Sequence, residues 1–553
     1  MKIQDEIKDS IKEALKKLNI DVDFIHLEAP ADISFGDYSS NVAMVIAKRE
    51  GKNVREFAQQ IRDLIIPGKY IEKIEVAGPG FLNFFLNKKA FIKIIKSAVQ
   101  EPENFGKSDL FTGRNILVEH SSPNLFKPFH IGHLVNNSYG EAVVRTLSFL
   151  GANVSAVSFP SDISPGIAKA VWALIKQGKK QDFGIKDLGE AYVLGVRAYE
   201  DLEIKSEIDK INESLYNKNK NSLEWKIYKK GRELSLRYFL DITDRLGSKF
   251  DELLFESEAE KLGKQIVKEN TPAIFEKSDN AIIFRGSEYG LYDNVFVNSQ
   301  GFGTYLTKDI GLIKMKFDKF NFDKSITITD IEQKQHFELV KKSAELINKE
   351  WAEKSEYLQH GRLSLSTGKI SSRDGGVPLA EELIDNVKKE AINRMNENGY
   401  QKDDKIAEQI ALAAFKYAIL RVGMGKNIVF DLEASTSFEG DSGPYLQYTY
   451  ARAKSILKKY NSDIDTSDIP INNVAKLLVK FGDVVERAGT EFAPHKITNY
   501  LTQLAGEFNS WYASEKIMDG SNDERAKIAL TYAVSVTLKN GAKLLGFNMP
   551  EHM

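Results

Sequence analysis

Asn115-Ile116-Leu117-Val118-Glu119-His120-Ser121-Ser122-Pro123-Asn124-Leu125-Phe126-Lys127-Pro128-Phe129-His130-Ile131-Gly132-His133 decides the architecture of this chain. Its first five residues are a short apolar run, bounded downstream by turn-forming residues and two prolines, and read as a buried strand. A helix is predicted from about His130 to Leu150. Gly151-Ala152-Asn153-Val154-Ser155-Ala156-Val157-Ser158-Phe159 is then the next strand. Strand, helix, strand in this order opens a parallel, doubly wound sheet of Rossmann type.

Upstream, residues 2–19 place Ile3, Ile7, Ile11, Ala14 and Leu18 on one side of a helix. A loop near Pro30 to Asp37 and a helix from Ser39 to Arg49 follow. Ile71 to Asn87 reads as two strands around Gly78-Pro79-Gly80. These pieces predict a small α+β domain over 1–105. Downstream, the texture from Gly166 to Leu262 is helical and charged, with a polar loop at Tyr216–Ser222. Strands return at Ala281 and Ser325. The expected catalytic domain is therefore 106–375, with a mainly helical insertion at 166–280. A long helix at Pro378–Asn398 belongs to a connecting segment, 376–410. Beyond Lys405 only helical periodicity is visible, which predicts an all-α bundle over 411–553.

Composition sets outer limits. At 553 residues the chain exceeds a single core, which stops growing at roughly 250–300 residues, so three or more domains are expected. Hydrophobic residues at 42% and charged residues at 28% are ordinary for a globular protein and argue against long disorder. A net charge of −2 means that any RNA binding must use local patches. The absence of cysteine removes thiolate nucleophiles and cysteine zinc sites, so no zinc is expected. The charged N-terminus and the lack of a long apolar run point to a cytoplasmic chain without a membrane partner.

Two stretches carry chemistry. His130 and His133, three apart, lie at a helix start where a sheet edge presents free N–H groups and partial positive charge to phosphate. Gly132 between them leaves the backbone bare for a base or ribose. The alternative is a pair of purely structural histidines, which the flanking strand, prolines and glycine disfavour. Gly368-Lys369-Ile370-Ser371-Ser372-Arg373-Asp374-Gly375-Gly376 is a basic, hydroxyl-rich loop suited to closing over polyphosphate. Taken alone, it fits an ordinary solvated loop equally well.

Together these residues resemble a family. His130-Ile131-Gly132-His133 is similar to the HIGH signature of class I aminoacyl-tRNA synthetases, and Lys369-Ile370-Ser371-Ser372-Arg373 to a variant of their KMSKS loop. Ser122 to His130 resembles the stretch preceding HIGH in the arginyl enzymes. Phe35 to Asn41 and Gly78-Pro79-Gly80-Phe81 look like that family's N-terminal domain. Tyr305 to Ile310 and Gln333 to Phe337 look like its core, and Gly443 to Arg452 like its anticodon-binding bundle. Pro550-Glu551-His552-Met553 matches its ending. Ser372 replaces the usual second lysine of the loop. Arginyl enzymes commonly carry a lysine just before HIGH instead, where this chain has Lys127. Val135 stands where the family often has Arg, and Ser161-Asp162-Ile163-Ser164 where it often has Gly-Asp-Trp-Gly.

The resemblance implies L-arginine, ATP with Mg²⁺ and tRNA(Arg) as substrates, no tightly bound organic cofactor, no DNA, and a monomer. It implies catalytic roles for His130, His133, Lys127 and Lys369. ATP would also contact Gly132, His360, Ser371 and Ser372. Glu256 and Asp309 would hold the guanidinium, with Tyr305 as a wall. Asn124 and Gln333 would hold the α-amino and carboxylate end. From spacing alone, Tyr305 and Asp309 fit an ordinary surface helix just as well. Tyr448 and Arg452 would meet the anticodon, although tyrosine in a bundle is more often core. Phe81 and Asn83, on the Gly-Pro-Gly turn, would touch the tRNA elbow. The resemblance also implies that tRNA is required before arginine is activated. Three rivals are weighed. A cysteinyl-type enzyme would need a zinc cluster that the sequence lacks, and a nucleotidylyltransferase would not need the helical C-terminus. A non-catalytic tRNA-binding relative would have lost the histidines or lysines.

Overall fold

Five parallel strands form the central sheet, in the order Ser355–His360, Lys324–Asp330, Asn115–Glu119, Asn153–Ser158, Glu252–Leu253. Numbered along the chain this is 5-4-1-2-3, the doubly wound arrangement expected from the sequence. The order reverses between Asn115–Glu119 and Lys324–Asp330, which makes the crevice beyond their carboxyl ends the expected ligand position. The computed structural model describes residues 3–28, 30, 33–180, 182–366, 379–397 and 403–553.

Ile116, Leu117 and Val118 are all buried, as befits a strand covered on both faces. The helix Ile131–Phe149 crosses back over the sheet and is almost entirely interior. Val135 is fully buried in the main hydrophobic cluster.

One expectation fails here. Ala281–Phe284 does not return to the parallel sheet. It is the middle strand of a separate antiparallel sheet with Glu276–Ser278 and Asn294–Val297. The strand that does return is Glu252–Leu253, a two-residue element lying among five acids in residues 251–260. It is too short to show any period. The inserted helices, Pro165–Lys176, Ile185–Ala198, Leu202–Tyr216 and Leu223–Arg245, therefore finish well before residue 280.

In the N-terminal part, Ile71–Ala77 and Phe81–Leu86 pair as predicted, through a turn in which Gly78 and Gly80 take positive φ. Tyr38–Ser40 adds a third strand where the sequence suggested the start of a helix. The first helix, Ile3–Lys17, buries Ile3, Ile7, Ile11, Ala14 and Leu15. After residue 403 the chain is helical, apart from Ile428–Phe430, which pairs in parallel with Leu363–Leu365. Three residues are too few for a sequence period to reveal.

The bundle covers the catalytic domain directly. The Tyr139 hydroxyl, on the helix Ile131–Phe149, donates to the Val422 carbonyl at 2.7 Å. The N-terminal domain docks on the bundle through Tyr38, whose hydroxyl donates to Asp483 at 2.7 Å, and through stacked Phe105 and Phe481. No helix among the described residues is long and apolar enough to cross a membrane.

Candidate active site

Every described residue that the sequence proposed for ATP or arginine lies at or beyond the carboxyl end of a central strand, or on the helix Tyr305–Lys319 that leads into one. The chain leaves Asn115–Glu119 through Ser121 and Phe126, both at positive φ. Phe126 is buried against Tyr228, and its N–H is held by the Ser235 hydroxyl at 3.0 Å. This turn brings Lys127 and then His130 to the crevice.

His130 caps the helix. Its Nδ1 accepts the Gly132 N–H at 3.1 Å, and His133 Nδ1 accepts the His130 N–H at 3.2 Å. The rings stack with centroids 3.8 Å apart. Because each Nδ1 is an acceptor, each neutral ring must carry its proton on Nε2. Burial, reinforced by the Lys127 charge, lowers the His130 pKa to about 4. His133 is pushed well below its ordinary value by burial and by its neighbours His130 and Lys127. Both rings are therefore neutral Nε2–H donors at physiological pH. Lys127 is half-buried, and its pKa is lowered by desolvation. A Cβ on Gly132 would sit 3.1–3.2 Å from the His130 ring, so the capping imidazole would have to give way by a few tenths of an ångström.

The adjoining loops are zipped together. Ser161 N–H donates to Pro123 O, and Leu125 N–H to Ser161 O, which sets exposed Asn124 beside the Ser161–Ser164 turn. Ser161 Oγ donates to Glu256 at 2.8 Å, a bond that glycine at this place could not make. Asp162 accepts from the Ser257 N–H and hydroxyl and pairs with Arg232. Ser164 caps the helix Pro165–Lys176. Ser161, Asp162 and Ser164 are thus all tied into this wall.

Glu256 is 6% exposed and Asp309 is half-buried, and each is already engaged. Glu256 accepts from Lys308 at 2.5 Å, and Asp309 from His336 Nε2 at 2.5 Å. Burial raises the Glu256 pKa against the opposing pull of Lys308. Tyr305 stands open, 55% exposed. Gln333 is exposed at the end of Lys324–Asp330.

His360 differs from its expected role. It is 2% exposed, donates from Nδ1 to Gly361 O, and faces the Asn136 amide with Nε2. Its ring is spent inside the fold. Lys369, Ser371 and Ser372 lie outside the described residues. The chain beyond them reappears against the signature: Ala380 N–H donates to Phe129 O at 3.0 Å, and Leu379 bridges His130.

Of the residues proposed for tRNA, Arg452 lies over the Tyr448 ring at 4.8 Å and the Tyr512 ring at 5.0 Å. Asn83 needs correcting. It lies within the strand Phe81–Leu86, not on the turn, and is buried with its Oδ1 accepting from Ser39. Phe81 is half-buried. Among the described residues no three His, Asp or Glu side chains converge as a metal cage.

Residues 95–432 match the model of the class I tRNA synthetase (R) catalytic domain. Residues 5–86 match the arginyl tRNA synthetase N-terminal domain, and residues 446–553 the DALR anticodon binding domain. The chain belongs to the arginyl-tRNA synthetase family. It is 31% identical to the arginine–tRNA ligase of Halothermothrix orenii, covering 100% of this chain and 99% of that one. Its fold is similar to the arginyl-tRNA synthetases of Thermus thermophilus (TM-score 0.83, 24% identity, 100% of both chains) and Plasmodium falciparum (TM-score 0.81, 22% identity, 100% and 99%).

The sequence reading gave no role to Lys308, Ser161, Asn136 or His336. Lys308 adjoins Asp309, so adjacency was an available signal. Asn136 carried none. Its amide joins Ser121 N, Ile328 O and His360 across neighbouring strands, a relation that exists only in the folded sheet.

Proposed function

We propose that this chain activates L-arginine with ATP and transfers it to the 3′-terminal ribose of tRNA(Arg). The observation that carries the reading is the capped, neutral histidine pair beside Lys127 at the switch point. The arginine carboxylate attacks the α-phosphorus of ATP, and pyrophosphate leaves. The ribose hydroxyl then attacks the arginyl-adenylate. No side-chain nucleophile is needed, so positioning and charge stabilisation do the catalysis.

His130 and His133 offer Nε2–H groups to the phosphate oxygens, and Lys127 and Lys369 add charge there. Gly132, Ser371 and Ser372 complete the ATP contacts, and His360 acts through Asn136 at the crevice wall. Asn124 and Gln333 orient the amino-acid head, while Glu256, Asp309 and Tyr305 take the guanidinium. Magnesium enters with ATP as part of the substrate. Tyr448 and Arg452 meet the anticodon and Phe81 the body of the tRNA. The enzyme acts as a cytoplasmic monomer. The deciding experiment offers total tRNA, ATP and each amino acid separately. Only arginine should become esterified to RNA, and charging of any other amino acid in its place would refute the proposal.

A further inference from the structure

The pocket assigned to the guanidinium lies beside more acid than one cation requires. Asp162, Glu256, Glu260 and Asp309 all contribute to this wall, and the first three are almost fully buried. Asp162 is balanced by Arg232 at 3.1 Å, and Glu260 by Lys264 at 3.3 Å. Glu256 is balanced by Lys308, which is 3% exposed and spends its donors inside the protein. Its ammonium reaches Glu256 Oε2 at 2.5 Å and Ile163 O at 2.8 Å, and lies 5.0 Å from the Tyr305 ring centre. Asp309 alone is held by an imidazole N–H, a hydrogen-bond donor and not a fixed charge. Glu256 Oε1 and Asp309 Oδ1 have no hydrogen-bond partner among the described residues.

We propose that Lys308 is a positioning residue for arginine selection. It balances Glu256 and fixes its Oε2 face, leaving one uncompensated carboxylate charge and two outward oxygens for a single planar guanidinium. The inference rests on the assignment of Glu256 and Asp309 to the guanidinium. The physical reason is charge matching. Two bare carboxylates against one substrate cation would leave a buried negative charge unpaired, and such a group takes up a proton or moves. With Lys308 on its Oε2 face Glu256 stays directed, and a forked donor can bond each carboxylate.

The test is arginine-dependent pyrophosphate exchange in the presence of total tRNA, measured on the full chain. Lys308→Met should raise the arginine KM by about tenfold or more, with the ATP KM unchanged. Lys308→Arg, which keeps the charge, should recover most of that loss. An unchanged or lowered arginine KM in Lys308→Met would overturn the inference. Should Lys308→Met fail to fold, Glu256→Gln with Lys308→Met removes both charges together. Its arginine KM should be no worse than that of Glu256→Gln alone, because the lysine acts through that carboxylate. A further large rise would give Lys308 an independent role and also overturn the inference. If neither Glu256→Gln nor Asp309→Asn changes the arginine KM, it is the underlying pocket assignment that fails.

Discussion

Gly263 and Gly311 meet backbone to backbone. A Cβ on Gly263 would lie 1.9 Å from the Thr307 carbonyl oxygen, and one on Gly311 1.9 Å from that of Ala259. Both atoms belong to main chain that cannot swing aside. The helices Glu256–Glu269 and Tyr305–Lys319 therefore approach more closely than side chains would allow, which brings the Glu256 carboxylate to the Lys308 ammonium. Gly311→Ala should force the helices apart, at a cost of about 1–3 kcal/mol or more. Calorimetry should show a lower Tm, and the arginine KM should rise more than the ATP KM. Equal rises in both would mean that the contact matters to the whole domain and not to this pocket.

The proposed role of Lys127 is to supply the charge that Ser372 lacks. Its field bears on both signature histidines. Lys127→Ala should lower turnover far more than it weakens arginine binding, because phosphate charge grows in the transition state. Adding Ser372→Lys should restore part of the rate. A variant with intact turnover and only a higher ATP KM would show that Lys127 merely binds the ground state.

Buried histidines make stability pH-dependent in a defined window. His120 is 1% exposed, its Nε2 lacks a partner among the described residues, and burial lowers its pKa to about 4. An unfolded chain protonates histidine near 6.5. Since the folded value is the lower one, this contribution is complete above about pH 6.5 and is lost as pH falls towards 4. Between pH 7.5 and 5.0 the loss is about 2 kcal/mol for this group. Urea unfolding of His120→Asn at the two pH values should show a pH difference smaller by about that amount. An unchanged difference would mean that the ring is protonated, or relieved by water, in the native state.

The opening of the sheet, the signature helix and the bundle were legible because apolar runs and helical periods report burial directly. Glu252–Leu253 and Ile428–Phe430 were not, since two or three residues have no period. The site was legible as far as residue identity reaches: His130, His133 and Lys127 do gather at the crevice. Spacing could not reveal that Asn83 and His360 turn inward, or that Lys308 already holds Glu256, because those facts depend on which strands become neighbours.

Arg452 is sandwiched between Tyr448 and Tyr512 and also bonds the Asn509 side chain at 2.5 Å. A half-buried tyrosine with its ring on a fixed cation is a ready stacking platform for an unpaired base. Tyr448→Ala should weaken tRNA binding by about 1–3 kcal/mol. Filter binding would measure this, and circular dichroism should be unchanged. Full affinity in the variant would place the anticodon elsewhere.

Arg145 joins the signature helix to the bundle, and we propose that tRNA binding acts on the ATP site through it. Its guanidinium donates to Glu141 at 2.6 Å, to Gly247 O at 2.7 Å and to Lys543 O at 3.1 Å. Lys416, fully buried, donates to Leu246 O at 2.5 Å and Gly546 O at 2.7 Å, and burial lowers its pKa to about 7. Arg145 and Lys416 thus hold the carboxyl ends of Leu223–Arg245 and Glu524–Leu544 through hydrogen bonds to carbonyls at or just past those ends. A shift of the last bundle helix would act on the helix headed by His130. Deleting residues 411–553 would test this poorly, because Tyr139 would lose its partner at Val422 and the signature helix its cover. Arg145→Gln is the better probe. Arginine-dependent exchange should be stimulated by cognate tRNA in the wild type and much less in the variant, at tRNA concentrations saturating both. Equal exchange with and without tRNA in the wild type would reject coupling altogether. Undiminished stimulation in Arg145→Gln would send the signal by another path.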